Sequence, residues 1–178
     1  MSNSSFRIIA ECYADTALAQ LMVSNKEQVD HANGSSQVAS EMKKLANSPE
    51  IILVGFIDND KLKNMPRYFD DFTEYRRGQR VSFRQKEDFR VQHYLIVLER
   101  AIETFLLHNA AKAAVKVTDF GFSDVQSEFQ KRLKTIQIEN DIHFISLLKE
   151  LQKQKAPDFV LIGQFLQEFI PYRNPPVS

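Results

Sequence analysis

The chain has 178 residues, of which 43% are apolar, with 23 basic and 23 acidic side chains and a formal net charge of zero. That length suits one domain, or one domain with an extension. The apolar content excludes a disordered chain, and the charge balance excludes a whole-surface attraction to nucleic acid or membrane, leaving only local patches. A single cysteine, Cys12, excludes an intrachain disulfide framework and implies a reduced, cytoplasmic setting. Met1–Ser5 carries neither the basic nor the apolar region of a signal peptide, and no apolar run is long enough to span a bilayer, so no membrane partner is expected.

Phe6–Glu11 reads as a first strand, followed by a helix from Asp15 to about Val23 with Ala17, Leu18, Leu21 and Met22 on one stripe. His31–Ser36 reads as a turn, and Ser35 or Ser36 caps a second helix with Val38, Met42 and Leu45 inward. Glu50–Ile57 is a near-continuous apolar run, the pattern of a strand buried on both faces of a parallel sheet. Residues 61–90 form an irregular, charged insert in which Val81–Arg84 reads as a short strand. His93–Leu98 is a second fully apolar strand and feeds a helix over Glu99–Lys112.

After Gly121 the pattern becomes helical. Ser123 with Gln126 matches a capping box, Asp141 caps a second helix, and Pro157-Asp158 opens a third. The expected fold is α/β: a mostly parallel sheet flanked by helices, with a helical C-terminal subdomain. The division is an α/β domain over residues 1–117, with the insert at 61–90, and a helical extension packed on it over residues 118–178.

The acids fall at the ends of the apolar strands. Glu11 closes the first, with Asp15 four residues later; Asp58 and Asp60 close the Ile51–Ile57 run; Glu99 and Glu103 follow the His93–Leu98 strand. Side chains alternate along a strand, so Asp58 and Asp60 project the same way if the extended geometry persists. Carboxylates sharing one mouth repel unless a cation or proton lies between them. In open α/β sheets, ligands bind at the carboxyl ends of the strands. Taken singly, Asp15 reads as a helix cap and Glu99 and Glu103 as a solvated helix face. Taken together, acids at three strand ends point to a divalent-metal site of Mg²⁺ or Mn²⁺ type.

The stretches Ile8-Ile9-Ala10-Glu11-Cys12-Tyr13-Ala14-Asp15 and Val54-Gly55-Phe56-Ile57-Asp58-Asn59-Asp60, and more loosely Ala101-Ile102-Glu103, resemble the Toprim (topoisomerase–primase) domain. The likeness is nearest to small stand-alone Toprim-like proteins and to the Toprim half of overcoming-lysogenization-defect nucleases. It covers roughly Phe6 to Lys112. The resemblance implies a Toprim/Rossmann-like sheet, with Glu11 in acid–base chemistry or metal binding. It implies Asp58 and Asp60 as the main Mg²⁺ (or Mn²⁺) ligands, Asp15 and Glu103 as ligands of a second ion, and metal-assisted hydrolysis of nucleic-acid phosphodiesters. Two departures stand out: Cys12 replaces the glycine that usually follows the glutamate, and Lys61 follows the acidic pair where glycine is common. They leave open a catalytically degenerate module that binds nucleic acid or protein, and a small-molecule phosphatase is a further alternative.

Residues 76–90 carry six basic and two acidic side chains interleaved with Phe83 and Phe89. Arg76, Arg77, Arg80 and Arg84 are candidates for tracking a DNA or RNA backbone; a solvated hairpin explains the same pattern. His31, His93, His108 and His143 have no metal-binding spacing, and no P-loop or dinucleotide fingerprint occurs. The Phe- and Leu-rich C-terminal helices suit an ordinary core, or in part a homodimer face.

Overall fold

The computed structural model describes residues 5–48, 50–59, 65–88 and 92–169. Six strands form one sheet: β1 (Ser5–Ala10), β2 (Val29–His31), β3 (Ile51–Asn59), β4 (Phe72–Arg77), β5 (Val81–Lys86) and β6 (Gln92–Glu99), in the spatial order β2-β1-β3-β6-β5-β4. The pairs β1–β2, β1–β3 and β3–β6 are parallel, whereas β4–β5 and β5–β6 are antiparallel. The helices are α1 (Tyr13–Met22), α2 (Ser35–Lys44), α3 (Ile102–Lys112), α4 (Gln126–Leu133), α5 (Ile142–Lys153) and α6 (Pro157–Gln167). The α/β class and the mostly parallel sheet agree with the sequence.

Strand alternation divides the core in two. Ile8, Ile52, Val54, Phe56, Ile96, Leu98, Val81 and Phe83 face one side, where they join buried residues of α1, α3, α4, α5 and α6 in one continuous cluster. Ile9, Leu53, Ile57, Leu95 and Val97 face the other, against Val38, Ala39 and Met42 of α2 and the Phe69–Phe72 corner. Gly55 permits the close seat of α2, since a Cβ there would lie 2.6 Å from Leu95 and 2.8 Å from Met42. Among the described residues no helix is long and apolar enough to cross a membrane.

Several local expectations change. Val29–His31 pairs with Ile8–Ala10 as edge strand β2, so His31 ends a strand rather than sitting in a turn. Three residues offer too little alternation to be read from sequence. The irregular insert contains a second strand, β4, whose charged pattern of mostly exposed residues reflects its edge position. The capping box does not form: the N-cap of α4 is Val125, whose N–H bonds the Ser123 hydroxyl at 3.1 Å. Asp141 does cap α5, accepting from the N–H groups of His143 and Phe144.

One buried carboxylate ties the hairpin to the helices. Asp158 at the start of α6 is fully buried and accepts from the N–H groups of Gln79 (2.8 Å) and Arg80 (3.1 Å) and from Asn109 Nδ2 (3.1 Å). The Asn109 amide oxygen in turn accepts from the Asp158 N–H. Gly78 makes room for this clamp: a Cβ there would lie 2.3 Å from Asp158 Oδ1. Asp158→Ala leaves three donors without their acceptor and should lower unfolding free energy by about 3 kcal/mol. Urea denaturation checks this; a midpoint equal to wild type refutes the clamp's role.

Candidate active site at the sheet switch point

The chain leaves β1 through α1 to β2 on one side, then crosses back through α2 to β3 on the other side of β1. α1 and α2 consequently lie on opposite faces. The carboxyl ends of β1 and β3 diverge there, which is where α/β sheets open a crevice. Glu11 leaves β1 at that point, and Asp58 lies near the end of β3.

Glu11 is held from three directions. Its N–H bonds the Phe56 carbonyl (2.9 Å), its carbonyl accepts from the Gly34 N–H (3.0 Å), and its Oε2 accepts from the Asp58 N–H (2.9 Å). Glu11 thus faces the Asp58 edge. Asp58 Oδ2 in turn accepts from the N–H of Ile102, the first residue of α3, at 3.4 Å. Ala101, the N-cap of α3, has no capping side chain, so a carboxylate from a distant strand takes that position. The chain reaches this geometry through Arg100, which adopts φ 76° between β6 and α3. A left-handed conformation at a non-glycine residue costs free energy and is retained where surrounding contacts enforce it.

Asp15 is fully buried in the first turn of α1. Cys12, the N-cap, accepts from the Asp15 N–H and donates its thiol to Asp15 Oδ2 at 3.0 Å. Glu103, 6% exposed in the first turn of α3, accepts at Oε1 from Gln130 Nε2 of α4 at 2.9 Å. Glu11, Cys12, Asp58, Glu103 and Gln130 all line one pocket of about 230 Å³. Two helix N-termini, of α1 and α3, bring partial positive charge to this group of acids.

The electrostatics are strained. Burial, then the charges of Asp15 and Glu11, push the Asp58 carboxyl well above the usual carboxylate range. Burial is also the largest influence on Asp15, opposed by the Cys12 hydrogen bond and reinforced by Glu11 and Glu103, and it is pushed up to about 8. The same burial, with the Asp15 charge beside it, raises the Cys12 thiol. Asp15 Oδ1 and Asp58 Oδ1 are both buried without a hydrogen-bond donor. An ionised carboxylate oxygen in that condition needs a proton or a cation.

Of the acids singled out from sequence, Glu11, Asp15, Asp58 and Glu103 are brought together; Asp60 lies outside the described residues. Glu99 turns away: it meets Asn59 Nδ2 (3.3 Å) and Arg77 (3.0 Å). Among the described residues, no three His, Cys, Asp or Glu side chains are placed so as to share one metal ion. Glu11, Asp58 and Glu103 line the pocket without converging on a point, and Asp15 is buried outside its lining.

The four arginines are not gathered beside these acids. Arg76 pairs with Glu168 (2.6 Å) on the helix-rich side, whereas Arg77 binds Glu74 (2.6 Å) and Glu99 on the opposite side. Arg80 lies in the turn anchored by Asp158, and Arg84 packs on Met65 with its Nε buried and without an acceptor. None of them lines the acidic pocket. Strand alternation sends neighbours to opposite faces, so a basic run in a hairpin does not make one basic surface. Phe89 and Arg90 of that run lie outside the described residues. Sequence reading overlooked Gln130 and Lys134; no local signal marks them, because they reach the pocket only when α4 packs on α3.

No protein-family model, curated protein or solved structure gives a significant match to this chain.

The raised Asp15 has a measurable consequence. Between its ordinary value of 3.8 and about 8, the folded chain keeps a proton that the unfolded chain releases. This group therefore subtracts stability as pH rises through that window. Asp15→Asn should raise the urea midpoint of the metal-free protein at pH 8, with a smaller gain at pH 4. Equal gains at both values contradict the assignment.

Proposed function

We propose that this chain is a Toprim-like protein that acts on nucleic-acid phosphodiesters by hydrolysis assisted by a divalent metal. One observation carries the reading. Glu11 and Asp58, from different strands, are tied together at the switch point, and buried oxygens of Asp58 and Asp15 are left without donors. The donors are of the chemical type that Mg²⁺ or Mn²⁺ prefers, carboxylate oxygen. Asp58 would hold the ion, with Asp60, which lies outside the described residues, as the expected companion ligand, and Asp15 and Glu103 would serve a second. A metal there supplies Lewis acidity toward the phosphate and lowers the pKa of bound water.

The chain's own residues do the rest. The Asp58 N–H occupies Glu11 Oε2 and fixes the carboxyl's orientation, leaving Oε1 to take a proton from an attacking water. The Ile102 N–H holds Asp58 in its rotamer. Gln130 keeps Glu103 at the pocket rim.

A second reading is a module that binds nucleic acid or protein without chemistry. It is favoured by the dispersal of the acids around the pocket and by the engagement of Asp58 as the cap of α3. A small-molecule phosphatase would use the same pocket on monoesters.

A single assay series separates the three. Purified protein is incubated with Mg²⁺ or Mn²⁺ and single-stranded DNA, duplex DNA, RNA or a phosphomonoester panel. Phosphodiester cleavage should appear only with metal. Asp58→Asn and Glu11→Gln should each lower it by at least about a hundredfold, more than the loss of an outer-shell partner. Cleavage unchanged in both variants sinks the proposal. Nucleic-acid binding without cleavage selects the binding module, and release of phosphate from monoesters alone selects the phosphatase.

A further inference from the structure

The acidic pocket has one wall that comes from the C-terminal third of the chain. α4 places Gln130, Leu133 and Lys134 against it. Gln130 spends one amide N–H on Glu103. Lys134 is the only cationic side chain among the lining residues, and it makes no ion pair among the described residues. Its neighbour Arg132, by contrast, is paired with Asp141. Lys134 follows the last residue of α4, where a cation complements the helix dipole. That role requires only a place at the helix end; it does not require a place on a pocket walled by Glu11, Asp58 and Glu103.

A phosphodiester entering this pocket brings negative charge toward carboxylates. A divalent ion held by these carboxylates would offset that repulsion. A non-bridging oxygen turned toward α4 would meet Lys134, whose ammonium is a mobile point charge on a flexible stem. Leu133 and Tyr13 give the same cavity apolar surface for the sugar. We propose that α4 is the substrate-facing wall of the site, with Lys134 contacting a phosphate oxygen and Gln130 holding Glu103 opposite it. The inference rests on the phosphodiester reading and goes beyond it by making the helical C-terminal segment part of the binding machinery.

The test uses the whole chain. Binding of a short fluorescein-labelled oligothymidylate is followed by anisotropy in Ca²⁺, to suppress turnover, across a salt series. Mn²⁺ uptake is measured separately by calorimetry. Lys134→Ala should weaken oligonucleotide binding about tenfold and reduce the slope of log affinity against log salt by about one. Mn²⁺ affinity and the urea midpoint should stay near wild type, and Lys134→Arg should restore most of the binding. A role confined to the helix end would instead lower stability and leave both the affinity and the salt slope unchanged, which overturns the inference. Wild-type protein that takes up Mn²⁺ but binds no oligonucleotide defeats the phosphodiester reading, and this inference with it. Wild-type protein that binds both, with Lys134→Ala matching it in affinity and slope, defeats the inference alone.

Discussion

A hydrogen bond from the Asp58 N–H to Glu11 Oε2 joins groups 47 residues apart in the chain, and the site depends on it. It extends the pairing of β1 with β3 one step beyond the strand, from backbone to side chain. The crevice at the switch point therefore opens against a fixed carboxylate. Asp58 carries the constraint onward, because its own side chain holds the first N–H of α3. A strand end, a second strand end and a helix start are locked through two acids, and Glu103 reaches the pocket because α3 begins where Asp58 fixes it.

The chain uses buried aspartate in two opposite ways. Asp158 is fully buried with three donors on its oxygens, and it fastens the β4–β5 turn to α3 and α6. Asp15 is equally buried, yet one of its oxygens has no donor and its other partner is a thiol. Satisfied polar groups hold a fold together, whereas unsatisfied ones lower its stability and are retained where something else is gained. The N-termini of α1 and α3 offset part of that cost, since partial positive charge from both first turns is directed at the acids. The left-handed Arg100 beside them is a further local expense at the same end of the sheet.

The C-terminal helices are more than a cover for the sheet. Phe129, Leu133, Phe144, Leu147, Phe159 and Phe165 belong to the same buried cluster as Phe56 and Phe83. α4 is held by that shared core and thereby delivers Gln130 to Glu103. Packing and site geometry are coupled here: the apolar face that buries α4 sets the position of its polar residues.

The apolar runs Ile51–Ile57 and His93–Leu98 were legible as buried strands, because each faces helices or loops on both sides and so loses the polar alternation of a half-exposed strand; that β6 pairs parallel on one side and antiparallel on the other was not. Asp141 and Pro157 likewise announced their helices, since capping and proline chemistry act within a few residues. The acids at strand ends were legible too, and parallel pairing explains why: residues ending neighbouring parallel strands share one rim. Direction was not legible. Whether Glu99 joins Glu103 at the pocket or turns to Arg77 depends on which face of β6 it leaves, and four neighbouring arginines separate for the same reason. The arrival of Gln130 and Lys134 at the pocket, and the hold of Asp58 on the first N–H of α3, were beyond sequence altogether. Local chemistry, the spacing of apolar residues and the termini of helices, is written in the order of residues. Contacts between segments dozens of residues apart exist only once the core has closed and set their distances.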